Sequence, residues 1–346
     1  MFLNATVFSI GNLQKLIDNW YIFLTVLNMA GKTIGTYINH KYFHQIINLL
    51  SSDEFQAEDE ESNKIIRKSI KKATKVRTLL IFWIVFAAIL YLSVPLLDGS
   101  SKDFVLPLKA WFWFEIKYSP IYERIYVYQC ISLIYQALIM AVIEGFIMGI
   151  MAVIIGQLEL LAYKLRNIKS DGGLQCFDER VVNCVKHHRK IKLLTNNLQQ
   201  MYGSSMFFHI LVGGALLCLT GYHLSHLSIQ KERVQFTIDF VYLIMIVGQL
   251  FLPCWYGSKI KDMSTQLNYA LYESEWSSCL FSDAKMIANK NTTPRSKMTI
   301  SNILMENGKR CIQVRASGLV SLDMRTCTSM INSAYSYYAL LRNLQK

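Results

Sequence analysis

The chain has 346 residues, of which 52% are hydrophobic and only 17% charged, and its formal net charge is +12. The apolar residues gather into long blocks rather than scattering at core spacing, which excludes an ordinary soluble globular domain and points to a polytopic membrane protein. The basic excess lies between those blocks, so it reads as a signal of membrane orientation rather than as a nucleic-acid footprint.

Residues 1–19 interrupt their apolar positions with Asn4, Asn12, Gln14, Lys15 and Asp18 and cannot supply a membrane span. A span needs roughly 20 apolar residues. Such blocks are predicted at about 20–38, 79–97, 126–155, 206–227 and 236–256, and an amphipathic closing helix over about 316–341 completes a set of six. The fold class is therefore all-α, a single membrane helical bundle. The segments 39–78, 156–205 and 257–315 hold most of the Lys and Arg between the spans, including Lys64 to Arg77, Lys186 to Lys192 and Lys259 to Arg315. Lys and Arg of short loops collect on the cytoplasmic side. Those three segments are thus expected inside and both termini outside, an inverted topology.

The internal segments read as structured. The acidic run 53–61, DEFQAEDEE, passes into the basic run Lys64 to Arg77, which predicts a helix continuing below the membrane with charge pairs along its solvated face. Residues 176–200 keep apolar side chains at Val181, Val185, Ile191 and Leu194 or Leu198, again a helical pattern. Within that stretch His187 and His188 are adjacent, point to different helix faces, and are expected as a solvated or interfacial pair. Asn289 to Ser296, NKNTTPRS, reads as a flexible loop. Its sequon at Asn291 falls on the wrong side for glycosylation, whereas the one at Asn4 falls on the right side.

Chemistry-bearing motifs are few. Cys130, Cys218, Cys254 and Cys327 lie in or beside spans, and Cys176, Cys184, Cys279 and Cys311 lie in cytoplasmic segments, with no C-x-x-C spacing to suggest a metal. The full external loops hold no cysteine for a pinning disulfide, and the external C terminus also argues against a G-protein-coupled receptor. Glu144 sits within the third span and is expected near the inner interface or paired with another helix. Paired charges at the midplane and matching Gly or Pro breaks, which would favour a transporter, are not read from the spans. No phosphate loop, G-x-S-x-G or zincin motif supports an enzyme, and no cofactor is expected.

The closing helix carries two opposed faces. Val320, Met324, Cys327, Ile331, Ala334, Tyr338 and Leu341 form an apolar stripe in alternating steps of four and three. Opposite lie Arg325, Ser329, Asn332, Ser336 and Asn343, which need water or polar partners in a bilayer. Such a face suits either a water-lined path or a polar seam against neighbouring helices.

Two segments carry a family resemblance. Phe251 to Trp276, FLPCWYGSKIKDMSTQLNYALYESEW, is similar to a segment of insect odorant receptors, with Gly257, Ser264, Ala270, Tyr272 and Trp276 at the matching places. The tail, SLDMRTCTSMINSAYSYYALLRNLQK, resembles that family's final helix with its Tyr-Ser-Tyr-aromatic signature, here Tyr335, Ser336, Tyr337 and Tyr338. Weaker similarity extends through FEIKYSPIYERIYVYQ and HHRKIKLLTNNLQQMYGSSMFFHIL. Gustatory receptors share the architecture but differ in the tail.

The resemblance implies a ligand-gated cation channel in the plasma membrane of olfactory neurons. It implies a heterotetramer with a coreceptor subunit, final helices lining the pore, and a small volatile odorant held in the outer half of each subunit. Carried to this chain, Leu340 and Leu344 fall at a hydrophobic gate, with Ser336 and Asn343 on the pore wall. A ring of leucines can close a pore by dewetting. For the odorant pocket the outer halves of the spans offer Tyr21, Leu24, Thr25, Ile89, Ser93, Tyr135, Ile139, Phe240 and Tyr242, each also an ordinary helix-packing residue. The alternatives are a gustatory-type channel, a non-channel membrane receptor or a solute transporter.

The resemblance also implies seven spans with a cytoplasmic N terminus. Residues 20–50 resemble the second of them, so the first is expected to be missing, through truncation, an alternative start or degeneration. Such a chain should assemble poorly and a version restored upstream should do better; equal surface expression of the two would refute this.

Overall fold

The computed structural model describes residues 13–56, 59–97, 99–108, 115–116, 118–167, 174–227, 233–273 and 311–343. Seven α-helices occupy these residues: α1 (Leu13–Ile38), α2 (His40–Leu50), α3 (Glu60–Leu97), α4 (Ile121–Arg166), α5 (Leu174–His226), α6 (Arg233–Glu273) and α7 (Met324–Asn343). A short hairpin of β1 (Arg315–Ala316) and β2 (Val320–Ser321) precedes α7. Helices α3 to α6 are long and apolar enough, by length and composition, to cross a membrane.

Helix length explains the layout. The 46 residues of α4 extend about 69 Å at 1.5 Å per residue, more than twice the roughly 30 Å hydrocarbon core of a bilayer. The bundle therefore continues beyond the lipid. Its main core lies in that continuation, where Ile147 to Leu165 of α4 meet Val181 to Met206 of α5, Tyr256 to Ala270 of α6 and Ile312 to Leu322. In the other half, Phe82, Phe86, Val127, Tyr128 and Ile131 turn large apolar side chains outward. That surface suits lipid rather than water.

The tail departs from the spacing argument. Residues 316–323, expected as the start of the closing helix, form the hairpin and its exit instead. Ser317 and Gly318 both adopt positive φ, 52° and 71°, and Leu319 N–H donates to the Ala316 carbonyl at 3.0 Å. Two successive left-handed residues make a tight hairpin turn, which Ser-Gly tolerates and a helix does not. Asp323 then caps α7, its Oδ1 accepting Thr326 N–H at 2.9 Å.

The segment from Ile312 to Asp323 is strapped to the bundle by side chains standing in for strand partners. Ser264 Oγ accepts Ile312 N–H at 2.9 Å, and Ser258 Oγ accepts Met324 N–H at 2.9 Å. Gln199 brackets the strand, donating to the Gln313 carbonyl at 3.2 Å and accepting Arg315 N–H at 3.2 Å. Gly257 lets the strap close on α6, because a Cβ there would stand 2.0 Å from the Leu322 carbonyl oxygen. Gly257→Ala should accordingly displace the strap and cost about 1–3 kcal/mol, seen as a lower melting temperature of the solubilised protein; an unchanged melt would contradict the close approach.

The histidine pair is corrected. His187 and His188 are buried rather than solvated, at 2% and 7% exposure. Gln157 of α4 explains the first: its Nε2 donates to the Phe55 carbonyl at 3.2 Å and its Oε1 faces His187 Nε2 at 2.8 Å. Burial, with the Lys164 charge adding to it, pushes the imidazole down to about 3 from its ordinary 6.5. Its contribution to stability is full above pH 6.5 and declines as pH falls toward the folded value, where only the unfolded chain takes up the proton. By pH 5 the loss should be roughly 2 kcal/mol. Melting curves between pH 7 and pH 5 check this, and His187→Gln should flatten them; a pH dependence identical in the variant would assign the effect elsewhere. Nearby in the same region of the bundle, a hydrogen bond from Lys190 holds the Glu54 carboxyl below its usual range.

Asn289 to Ser296, both sequons, Cys279, Trp276 and Leu344 lie outside the described residues.

Candidate functional site

A cavity of about 100 Å³ opens between α1, α3, α4 and α6. Its wall repeats helical spacing on each element: Tyr21, Thr25 and Met29 on α1, Ile84, Ala88 and Tyr91 on α3, Leu133 and Ala137 on α4, and Ile238, Tyr242 and Met245 on α6. Leu108 from the loop before α4 also reaches it. Gln129 fixes that loop, with Oε1 accepting Leu108 N–H at 3.0 Å and Nε2 donating to the Leu108 carbonyl at 3.2 Å. The lining is almost wholly apolar, so affinity there must come from enclosure, with a few hydroxyls fixing orientation.

Those hydroxyls are tied to the bundle. Thr25 Oγ1 donates to the Tyr21 carbonyl at 2.8 Å and lies 2.7 Å from the Tyr242 hydroxyl. Tyr91 donates to the Pro107 carbonyl at 3.3 Å. Tyr21 meets Tyr242 edge-on and stacks on His223, whose Nδ1 lies 2.9 Å from Asp239 Oδ2. Gln235 Nε2 donates to both oxygens of the same Asp239 carboxylate. An apolar chamber therefore ends in a polar cluster built by α5 and α6.

The nine residues considered for the pocket separate clearly. Tyr21, Thr25 and Tyr242 line the cavity together. Leu24 packs instead beside Val212, Leu216 and Ile246. Ile89, Tyr135 and Phe240 are exposed on the outside of the bundle. Ser93 Oγ donates to the Leu90 carbonyl at 2.7 Å, and Ile139 is half-buried away from the lining. One helical step decides the outcome, since successive residues point about 100° apart and Ala88 lines the cavity where Ile89 faces outward. The wall residues not considered, such as Ile84, Ala88, Ala137 and Met245, share the i, i+4, i+7 spacing of small and apolar side chains, a signal that ordinary packing also produces.

A second polar feature lies farther along α1. Lys32 Nζ contacts Glu144 Oε1 of α4 directly, and both residues are buried, at 0% and 3% exposure. Glu144 is thus paired with another helix, one of the two arrangements expected for it. Asn28 Oδ1 lies 3.1 Å from His209 Nδ1 of α5, and both are buried. Thr25, Asn28 and Lys32 follow Tyr21 at steps of four, three and four, so one stripe of α1 meets α6, α5 and α4 in turn. Lys32 escaped notice because a lone lysine in an apolar block reads as a minor interruption, yet its helical phase with Thr25 and Asn28 was legible.

Helix α7 packs on α5 and α6. Cys327 and Ala334 of its apolar stripe are buried. Arg325, Ser329, Asn332, Ser336 and Asn343 are all exposed, as are Tyr335, Tyr337 and Leu340. Ser336 Oγ donates to the Asn332 carbonyl at 3.0 Å, which leaves its lone pairs facing outward. Tyr335, Ser336, Leu340 and Asn343 border one shallow groove. Among the described residues no three His, Cys, Asp or Glu side chains converge as a metal site.

Comparison with known proteins places these features in a wider set. Residues 12–335 match the family model described as 7tm Odorant receptor. Odorant receptor 46a, isoform A, of Drosophila melanogaster is 22% identical over 342 residues, spanning 96% of this chain and 83% of that receptor. Odorant receptor 94a of the same organism is 26% identical over 185 residues, 54% of this chain and 44% of that receptor's length. The solved olfactory receptor OR5 of Machilis hrabei superposes with a TM-score of 0.82 at 17% identity, covering 98% of this chain and 84% of that one. The same receptor solved in complex with eugenol matches with a TM-score of 0.82 at 16% identity. At that identity the likeness concerns the fold.

Proposed function

Because this chain belongs to the 7tm odorant receptor family, we propose that it is the odorant-binding subunit of a heteromeric ligand-gated cation channel in the plasma membrane of olfactory sensory neurons. Its partner is a coreceptor subunit of the same architecture in a heterotetramer, and its ligand a small volatile odorant. All six spans, α1 and α7 included, cross the bilayer with the C terminus outside.

The observation that carries the channel reading is the asymmetry of α7, which buries Cys327 and Ala334 while leaving its Ser and Asn face exposed. In a bilayer that face requires water or polar partners, and four such helices around one axis would enclose a path lined by hydroxyl and amide groups. The outward lone pairs of Ser336 suit a passing cation. Leu340, 57% exposed, would form the hydrophobic constriction. Odorant binding rests on the apolar cavity lined by Tyr21, Thr25 and Tyr242, where enclosure rather than hydrogen bonding supplies affinity.

A solute transporter is the second reading, favoured by the buried Lys32–Glu144 pair, although neither residue lines the cavity. Co-expression with a coreceptor and whole-cell recording across an odorant panel separates the two. Odorant-evoked cation currents that persist when G-protein signalling is blocked are expected; substrate uptake without such currents would overturn the channel reading.

A further inference from the structure

We propose that the cavity takes compact aromatic rings in preference to saturated rings of the same size, and that the thioethers of Met29 and Met245 set that preference. The inference rests on the reading of this cavity as the odorant site and adds the ligand class. Volume sets one bound: an engineered cavity of about 150 Å³ holds benzene, so one of about 100 Å³ suits a ring of five atoms. Most of the wall cannot tell a flat aromatic ring from a puckered saturated one. Its aliphatic side chains reward buried apolar area, which the two ligands offer alike. Discrimination must come from groups that respond to a π system, and these stand on three of the four helices: Tyr21 and Met29 on α1, Tyr91 on α3, and Tyr242 and Met245 on α6.

A thioether sulfur is polarisable and makes favourable contacts with the edge of an aromatic ring. Met29 follows Thr25 by four residues and Met245 follows Tyr242 by three, so each stands about one turn along its own helix from the Thr25–Tyr242 contact. Two helices thus bring sulfur to one chamber, where unbranched side chains can adjust to the ring they meet. The tyrosines act in the same direction. Tyr21 and Tyr242 already meet edge-on with centroids 5.1 Å apart, an arrangement that aromatic pairs prefer. Their contact with Thr25 and the bond from Tyr91 to the Pro107 carbonyl fix two of the three rings. Any wall hydroxyl proton that faces the chamber also favours the aromatic ligand, whose negative face accepts a weak hydrogen bond that a saturated ring cannot. The preference therefore holds however those hydroxyls are paired. Each contact of sulfur or ring edge with an aromatic ligand adds about two- to tenfold in affinity beyond buried area.

Thiophene, tetrahydrothiophene and cyclopentane make a matched probe set: all are five-membered, only the first is aromatic, and the second keeps the ring sulfur without the aromaticity. Their affinities for the purified full chain in lipid nanodiscs can be read from ligand-induced shifts in melting temperature, in parallel with currents from the coreceptor complex. Each affinity is referred to the probe's own partition from water into hexadecane, which removes differences in transfer from water. On that scale thiophene should bind about tenfold more tightly than either saturated ring. The double variant Met29→Leu with Met245→Leu conserves side-chain volume. It should cut the preference about threefold or more while leaving cyclopentane binding within about twofold. Equal referred affinities in the wild type, or a preference unmoved in the double variant, would overturn the inference while leaving the odorant site in place. Binding indifferent to Ala88→Phe, which fills the cavity, or absent for all three probes, would instead overturn the placement of the odorant here, and the aromatic preference with it.

Discussion

Glu144→Ala should destabilise the protein by about 3–5 kcal/mol, because it leaves the Lys32 ammonium buried without its partner. No solvent reaches Lys32, at 0% exposure, and α1 cannot rotate to release it without also breaking the Thr25 and Asn28 contacts on the same stripe. Lys32→Met alone, which leaves the buried Glu144 carboxyl without its partner, should also destabilise the protein. The double variant Lys32→Met with Glu144→Leu should recover most of the loss, since well-packed apolar residues of similar size replace a buried ion pair at little cost. Fluorescence-detected melting of the solubilised protein and surface expression measure the cycle. Additive losses in the double variant would mean that the two residues act independently and that the contact is energetically idle.

Leu340→Ala should raise the resting current of the assembled channel several-fold in the absence of odorant. A hydrophobic ring closes a pore by excluding water, and shortening its side chains admits water to the closed state. Leu340 is suited to the test because its side chain is exposed on the chain alone, so truncation removes little internal packing and folding should be preserved. Substituting the buried Ala334 on the opposite face with Leu should instead lower expression by overpacking the α5 and α6 contact. A Leu340→Ala channel that expresses normally and stays silent without odorant would exclude this position from the gate.

Regular features of the bundle were legible and irregular ones were not. The long apolar blocks in α3 to α6 and the charge runs that continue them follow from composition along a line. The spacing on α7 is met in part: Cys327 and Ala334 are buried where the apolar stripe puts them, whereas Ile331 of the same stripe is exposed. The hairpin before α7 was missed although Ser317-Gly318 is a turn signal, because its neighbours Val320, Met324 and Cys327 fit a helical stripe equally well. The burial of His187 depends on Gln157 and Phe55, thirty residues and more than a hundred residues away in different elements. Nothing local to the histidine announces it.

The sequence by itself determined the class of the molecule, the helices and their amphipathic phase, since hydropathy and 3.6-residue periodicity are properties of consecutive residues. The resemblance in Phe251 to Trp276 and in the tail also pointed to the family before any coordinates. Tertiary structure alone decided which hydroxyls share a cavity, that Lys32 meets Glu144, and that Ser264, Ser258 and Gln199 hold the strap leading into α7. The physical reason is that a helix offers many possible faces at steps of about 100°. Only the crossing of neighbouring helices selects the face that becomes a wall, a charge pair or a solvent-lined surface.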